Sequence, residues 1–279
     1  MSGAGKQAGG RRLFCELSPS AYALSVKKCI FLRNLADACG RTRFAKTKQE
    51  EPLPVCIYKH TSLIRRKLGN VDAQLQENKA VNLALAAPKI DRLLIRPGEV
   101  FSFWRTVGSV TAAKGYQTGL TIRGGEPSSD IGGGMCQMTN LIHWMVLHSP
   151  LSVVEHHHHD GIDLFPDFGR KVPFGTGTSV FYNYIDYRVL NPTEQPFQLI
   201  VYTTDEYLCG ELRTTQPLPY AYHISCEGEG FVREDGVVYR VGQVFRTVVD
   251  KRTGDTLSKV CIKQNHARVL YDTAALEVR

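Results

Sequence analysis

Residues 123–147, RGGEPSSDIGGGMCQMTNLIHWMVL, constrain the fold of this chain more than any other stretch. Glycines crowd its first half, Gly132, Gly133 and Gly134 in succession, and a run without Gly or Pro follows. In that run Met138, Leu141, Ile142 and Met145 recur at helical spacing, which predicts a helix starting near Met135. Cys136 then falls in the first turn, where unpaired N–H groups and the positive end of the dipole stabilise a thiolate. Consecutive glycines let backbone approach a substrate closely and can aim N–H donors at an oxyanion. The same geometry binds phosphates, but neither GxxxxGK[ST] nor a strand-anchored GxGxxG is present. The plainer alternative is a buried, inert cysteine at a helix start.

A cysteine nucleophile needs a base. His143 shares a helical face with Cys136 but lies about 10 Å further along the axis, so it reads as a core or rim histidine. Glu155-His156-His157-His158-His159 follows the break at Pro150 and is the better source. If this run is extended, His157 and His159 face one side and His156 and His158 the other. Two such histidines with Cys136 also fit an open three-ligand zinc site, with Glu155 or Asp160 behind them. Spacing alone does not separate these readings.

The fold class expected is α+β, with helices first and a mainly antiparallel β domain after. Ser18-Pro19 and Gly40 bound a helix over 19–39, and a second helix runs from about Ala73 to near Pro88. Leu93–Ile95, the turn Arg96-Pro97-Gly98-Glu99 and Val100–Phe103 read as a β-hairpin. Strands are expected over 180–190, 197–203, 208–212, 236–240, 243–249 and 257–263. Three regions follow: a basic, mostly helical 1–72, a central domain over 73–215, and a small β-rich module or sheet continuation over 216–279.

Charge is uneven along the chain. The formal total is +7, yet residues 1–70 alone hold a balance of +10. That asymmetry points to an anionic membrane surface or lipid-linked phosphate, while the lack of a basic–aromatic motif or zinc-finger spacing excludes nucleic acid. Eight cysteines without a CxxC pair match reduced thiols. No apolar run is long enough for a membrane span. Arg11-Arg12-Leu13-Phe14 is interrupted as an export motif by Glu16 and Lys27-Lys28, so a cytoplasmic chain, peripheral at the inner membrane face, is expected.

The blocks NLALAAPKIDRLLIRPGEVFSFW, GYQTGLTIRGGE and IGGGMCQMTNLIHWMVLHSPL resemble the VanW family over about 78–212. The Gly-Gly-Gly-x-Cys-Gln run entering a helix is that family's hallmark. The resemblance implies peptidoglycan stem peptides or a lipid-linked precursor as partner, a link to glycopeptide resistance, and L,D-transpeptidase-like acyl transfer. It makes Cys136 the nucleophile, puts a histidine most consistently at His159 and in some members at His157, and suits Gln137 as an oxyanion donor. Gly132, Gly133 and Gly134, with flanking Arg123 and Asn140, are then expected to meet substrate. No cofactor and no metal are expected. A non-catalytic module binding a precursor, a glycopeptide or a partner protein remains the alternative, and a zinc hydrolase a further one.

Overall fold

Ser18 starts the first helix as the sequence predicts: its side chain accepts the Ala21 N–H at 3.1 Å, with Pro19 in the first turn. The computed structural model describes residues 13–66, 72–123, 126–158, 161–166, 172–182 and 184–279. In chain order the elements are α1 (Pro19–Cys39), β1 (Val55–Leu63), α2 (Ala73–Ile90), β2 (Leu93–Ile95), β3 (Val100–Ser102) and α3 (Phe103–Val107). The central part continues with β4 (Thr118–Arg123), β5 (Glu126–Ile131), α4 (Met135–Leu147), β6 (Ser152–Glu155), β7 (Ile162–Asp163) and β8 (Arg188–Leu190). Five long strands finish the chain: β9 (Phe197–Thr203), β10 (Tyr207–Thr214), β11 (Tyr220–Glu234), β12 (Val237–Asp250) and β13 (Thr256–Val269). This is the α+β class, dominated by antiparallel pairs.

The central sheet runs β1-β10-β9-β2, antiparallel throughout. α4 packs on β1 and β10, so closely that a Cβ on Gly210 would stand 2.8 Å from both Leu141 and Met145. α2 lies against β9 and β4. Their apolar faces, Leu83, Ala86 and Ile90 from α2 and Met138, Leu141 and Met145 from α4, join Leu199, Leu208 and Leu212 in one core. β3-β8-β6 form a smaller sheet, and the β4–β5 hairpin delivers the chain to the glycines before α4. The last sheet, β11-β12-β13-β7, is tied back where Arg246 of β12 donates to the Leu147 carbonyl at 2.9 Å and to that of Ser149. A cation at the C-terminal end of α4 also suits its dipole.

Several expectations are corrected. The turn at 96–99 exists, but β2 and β3 do not pair with each other: β2 joins β9 and β3 joins β8. Asn191 explains this, because its amide donates to the Ile95 carbonyl at 2.8 Å while its backbone bonds Gly98 and Glu99, wedging the turn open. α2 runs through Pro88 to Ile90. The strand expected over 180–190 shortens to β8, the runs 236–240 and 243–249 are one strand, and β1 and β11 were not foreseen. Among the described residues, no helix is long and apolar enough to cross a membrane.

Candidate functional site

Each glycine before α4 has its own reason. Gly132 and Gly134 sit at φ +80° and +109°, a region L side chains avoid. Gly133 is packed on Gly119, where a Cβ would lie 2.2 Å from the Gly119 carbonyl carbon. Asn82 of α2 pins the loop, its amide donating at 2.9 Å to the carbonyls of Gln117 and Gly133 while its oxygen accepts the Gln117 N–H at 2.7 Å. α4 therefore begins at Met135 with Cys136 in its first turn, as the sequence predicts.

Cys136 lies on the wall of a cavity of about 1510 Å³. The cavity is bounded by the three glycines, the start of α4, residues 60–63 of β1, Lys79, residues 180–182 and the Tyr22–Val26 side of α1. Burial pushes the Cys136 thiol up, and the backbone N–H groups of Val180 and of Cys136 itself offset this only in part. The lowered thiol pKa expected at a helix start is thus reversed: desolvation outweighs the dipole, and no imidazole acts on the sulfur among the described groups. Cys136 rests as a thiol.

The neighbours of Cys136 on α4 act as clamps. Asn140 Oδ1 accepts from the Thr178 N–H at 2.6 Å and from the Thr178 hydroxyl at 2.9 Å, fixing residues 176–180 against the helix. Thr139 and Thr178 join their hydroxyls beneath it. Gln137 spends both amide hydrogens on β1, donating at 2.9 Å to Ser62 Oγ and to the Leu63 carbonyl. In this arrangement its nitrogen holds the sheet rather than facing an incoming oxyanion. Of the residues expected to meet substrate, Gly132, Gly133, Gly134 and Asn140 line the cavity, whereas the side chain of Arg123 lies outside the described residues.

The described histidines of the run face different ways. His156 and His158 turn toward α4: the His156 ring stacks on buried His143 at 4.5 Å and its Nε2 donates to the Gly177 carbonyl at 2.8 Å. The His158 ring lies against Gly177, 3.3 Å from where a Cβ would stand there. His157 instead donates to Glu155 Oε1 at 3.1 Å. His159, like Asp160, lies outside the described residues. His143 is a core histidine, 3.0 Å from the Tyr187 hydroxyl and pushed down to about 3 by burial and by His156 and His158. Burial opposes ionisation of Glu155, but hydrogen bonds from Arg33, the Asp186 N–H and His157 win and hold it below the usual carboxylate range. Arg33 of α1 grips Glu155 with two bonds of 2.7 Å, so α1 and the root of the histidine run are fixed together. Among the described residues, no three His, Cys, Asp or Glu side chains are grouped as metal ligands would be.

Sequence reasoning missed the polar residues on the buried face of α2. Gln76, Lys79 and Asn82 are each no more than 6% exposed and share that face with Leu83 and Ala86. The signal was present: polar residues recurring every third position where an amphipathic helix should be apolar. It also missed Thr178 and Val180, which stand in a loop without a motif.

The comparisons bear on the same region. A family model described as VanW like protein matches residues 78–213. The vancomycin B-type resistance protein VanW of Enterococcus faecalis is 32% identical over 245 residues, 88% of each chain. The uncharacterized protein YoaR of Bacillus subtilis is 32% identical over 123 residues, 43% of this chain and 38% of its own. No solved structure matches.

Proposed function

Because this chain belongs to the VanW family, we propose that it is a cysteine-dependent acyltransferase acting on peptidoglycan stem peptides in the setting of glycopeptide resistance. The observation that carries this reading is Cys136 on the wall of a large cavity, at the start of α4, with two backbone N–H groups facing its sulfur. A thiol at rest suits a mechanism in which the proton leaves only during attack. The sulfur adds to the peptide carbonyl as His159, the position favoured by the family resemblance, takes the thiol proton. The C–N bond breaks, the leaving amine receives that proton, and a thioester remains on Cys136. An acceptor amine then attacks the thioester, the C–S bond breaks, and the proton released by the amine restores the thiol. Gln137 and Asn140 position the start of α4 and the loop facing it. Peripheral contact with anionic lipid belongs to the same proposal, carried by α1 and the basic N-terminal region.

Burial of the thiol favours a second reading, a precursor-binding module without turnover. Incubation with a tetrapeptide stem and excess labelled D-amino acid separates the two. Exchange of the terminal residue is expected for the parent, is lost in Cys136→Ala, and falls at least a hundredfold in His159→Ala. His157→Ala, remote through Glu155, should retain most of it. Binding without exchange in the parent would establish the module instead.

A further inference from the structure

Among the described residues, Lys79 is a buried cation without an anion. Its residue is 6% exposed, it lines the cavity, and among the described residues its ammonium makes one hydrogen bond, 2.6 Å to Gln76 Oε1. Among the described residues, the charges that act on it are Arg66 and Arg65, both positive, with no carboxylate among them. Arg65 is engaged with Glu77, whereas Arg66 lines the cavity and its side chain has no ion pair among the described residues. Beside Lys79, Gln76 Nε2 is buried without a hydrogen-bond partner among the described residues. The Lys79 stem passes directly under Gly134, where a Cβ would stand 2.5 Å from its Cγ, and Gly134 precedes Cys136 by two residues. Burying an ammonium with donors unused beside like charges is unfavourable unless a ligand completes the set.

We propose that Lys79 and Arg66, with the N-terminal turn of α4, form a carboxylate subsite that takes the free C-terminus of the peptide whose preceding carbonyl meets Cys136. This rests on the acyl-transfer reading and supplies its specificity: a carboxylate held here presents the peptide bond one residue inward to the sulfur. A blocked C-terminus forfeits the charge-assisted bonds and leaves the cations unpaired.

Binding to the Cys136→Ala protein tests the subsite apart from chemistry, using a tetrapeptide stem with a free C-terminal carboxylate and the same peptide amidated. The acid should bind at least tenfold more tightly than the amide. Lys79→Met should reduce the acid to the affinity of the amide, and Lys79→Arg should keep the preference. An unchanged acid-to-amide ratio in a folded Lys79→Met protein overturns the proposal. If neither peptide binds, the stem-peptide reading fails, and the subsite is judged on acetate alone by NMR titration of the Lys79 side chain in the parent. Acetate raising the Lys79 pKa supports a carboxylate site. No response to acetate, or a response to inorganic phosphate at far lower concentration, contradicts it.

Discussion

At the scale of single residues, Lys79 shows a stability cost attached to a site. Burial and the two arginines push its ammonium down to about 8 from an ordinary 10.5. The folded state thus releases this proton before the unfolded chain does. The penalty is complete below pH 8 and fades as pH rises toward 10.5. The shift corresponds to about 3 kcal/mol, part of which the bond to Gln76 already offsets. Lys79→Met should therefore raise stability at pH 7 by about 1 kcal/mol, measured by urea denaturation, while lowering ligand affinity. A destabilised variant would mean that the ammonium serves the fold. Cys136 marks a limit of what the sequence discloses. Its place in the first turn of α4 was legible because glycine and periodicity announce a helix start. The direction of its thiol pKa was not, since that depends on how residues 178–180, far along the chain, close over it.

At the scale of elements, α1, α2 and α4 were legible because capping residues and glycines bound them. β1 was not, since VCIYKHTSL is an edge strand whose polar residues reach solvent and blur the alternation. β11 carries Gly228 and Gly230 at a shift of register with β12, so it reads as a loop. An extended run is legible in the histidines, but which of His156, His157 and His158 turn toward α4 depends on the pairing of β6 with β8, whose register shifts between Val153 and Glu155. Packing of the glycine loop gives a firm expectation: Gly133→Ala should destabilise the protein by about 3 kcal/mol, because backbone of Gly119 occupies the space of the new methyl. Stability unchanged in denaturant melts would contradict that packing. α1 gives another. It exposes Leu24, Phe31, Leu32 and Leu35 beside Lys27 and Lys28, and it is held to the body by Arg33–Glu155 and Asp37–Arg188 on another face. Such a helix suits the interface of an anionic bilayer. The parent should co-sediment with phosphatidylglycerol vesicles at low salt, and replacing Leu24, Phe31 and Leu35 by Ser should abolish this. A parent that stays in the supernatant would refute it.

At the scale of the molecule, the pieces meet around histidines kept neutral. His143 is buried and pushed down to about 3, and His60, more open to solvent, is pushed down to about 4 by burial, His148 and Arg66. Both protonate in the unfolded chain near 6.5 but stay neutral in the fold. Stability is therefore complete above pH 6.5 and falls as pH drops toward 4, His143 alone contributing about 1.4 kcal/mol per pH unit crossed. Thermal melts from pH 7 to 4.5 should show a steep decline, and His143→Gln should flatten it. A pH-independent Tm over that range would contradict the burial of His143. α4 lies on the central sheet, takes Arg246 of the last sheet at its C-terminal end and the glycine loop at its start, and is the axis on which the cavity is built. The central claim is that this axis presents a nucleophile. Intact-protein mass spectrometry after brief exposure to a tetrapeptide stem tests it most directly. One hydroxylamine-sensitive acyl adduct is expected, mapped to Cys136 and missing from Cys136→Ala. A parent protein whose mass never changes while peptide is bound, or an adduct mapped to another cysteine, would contradict it.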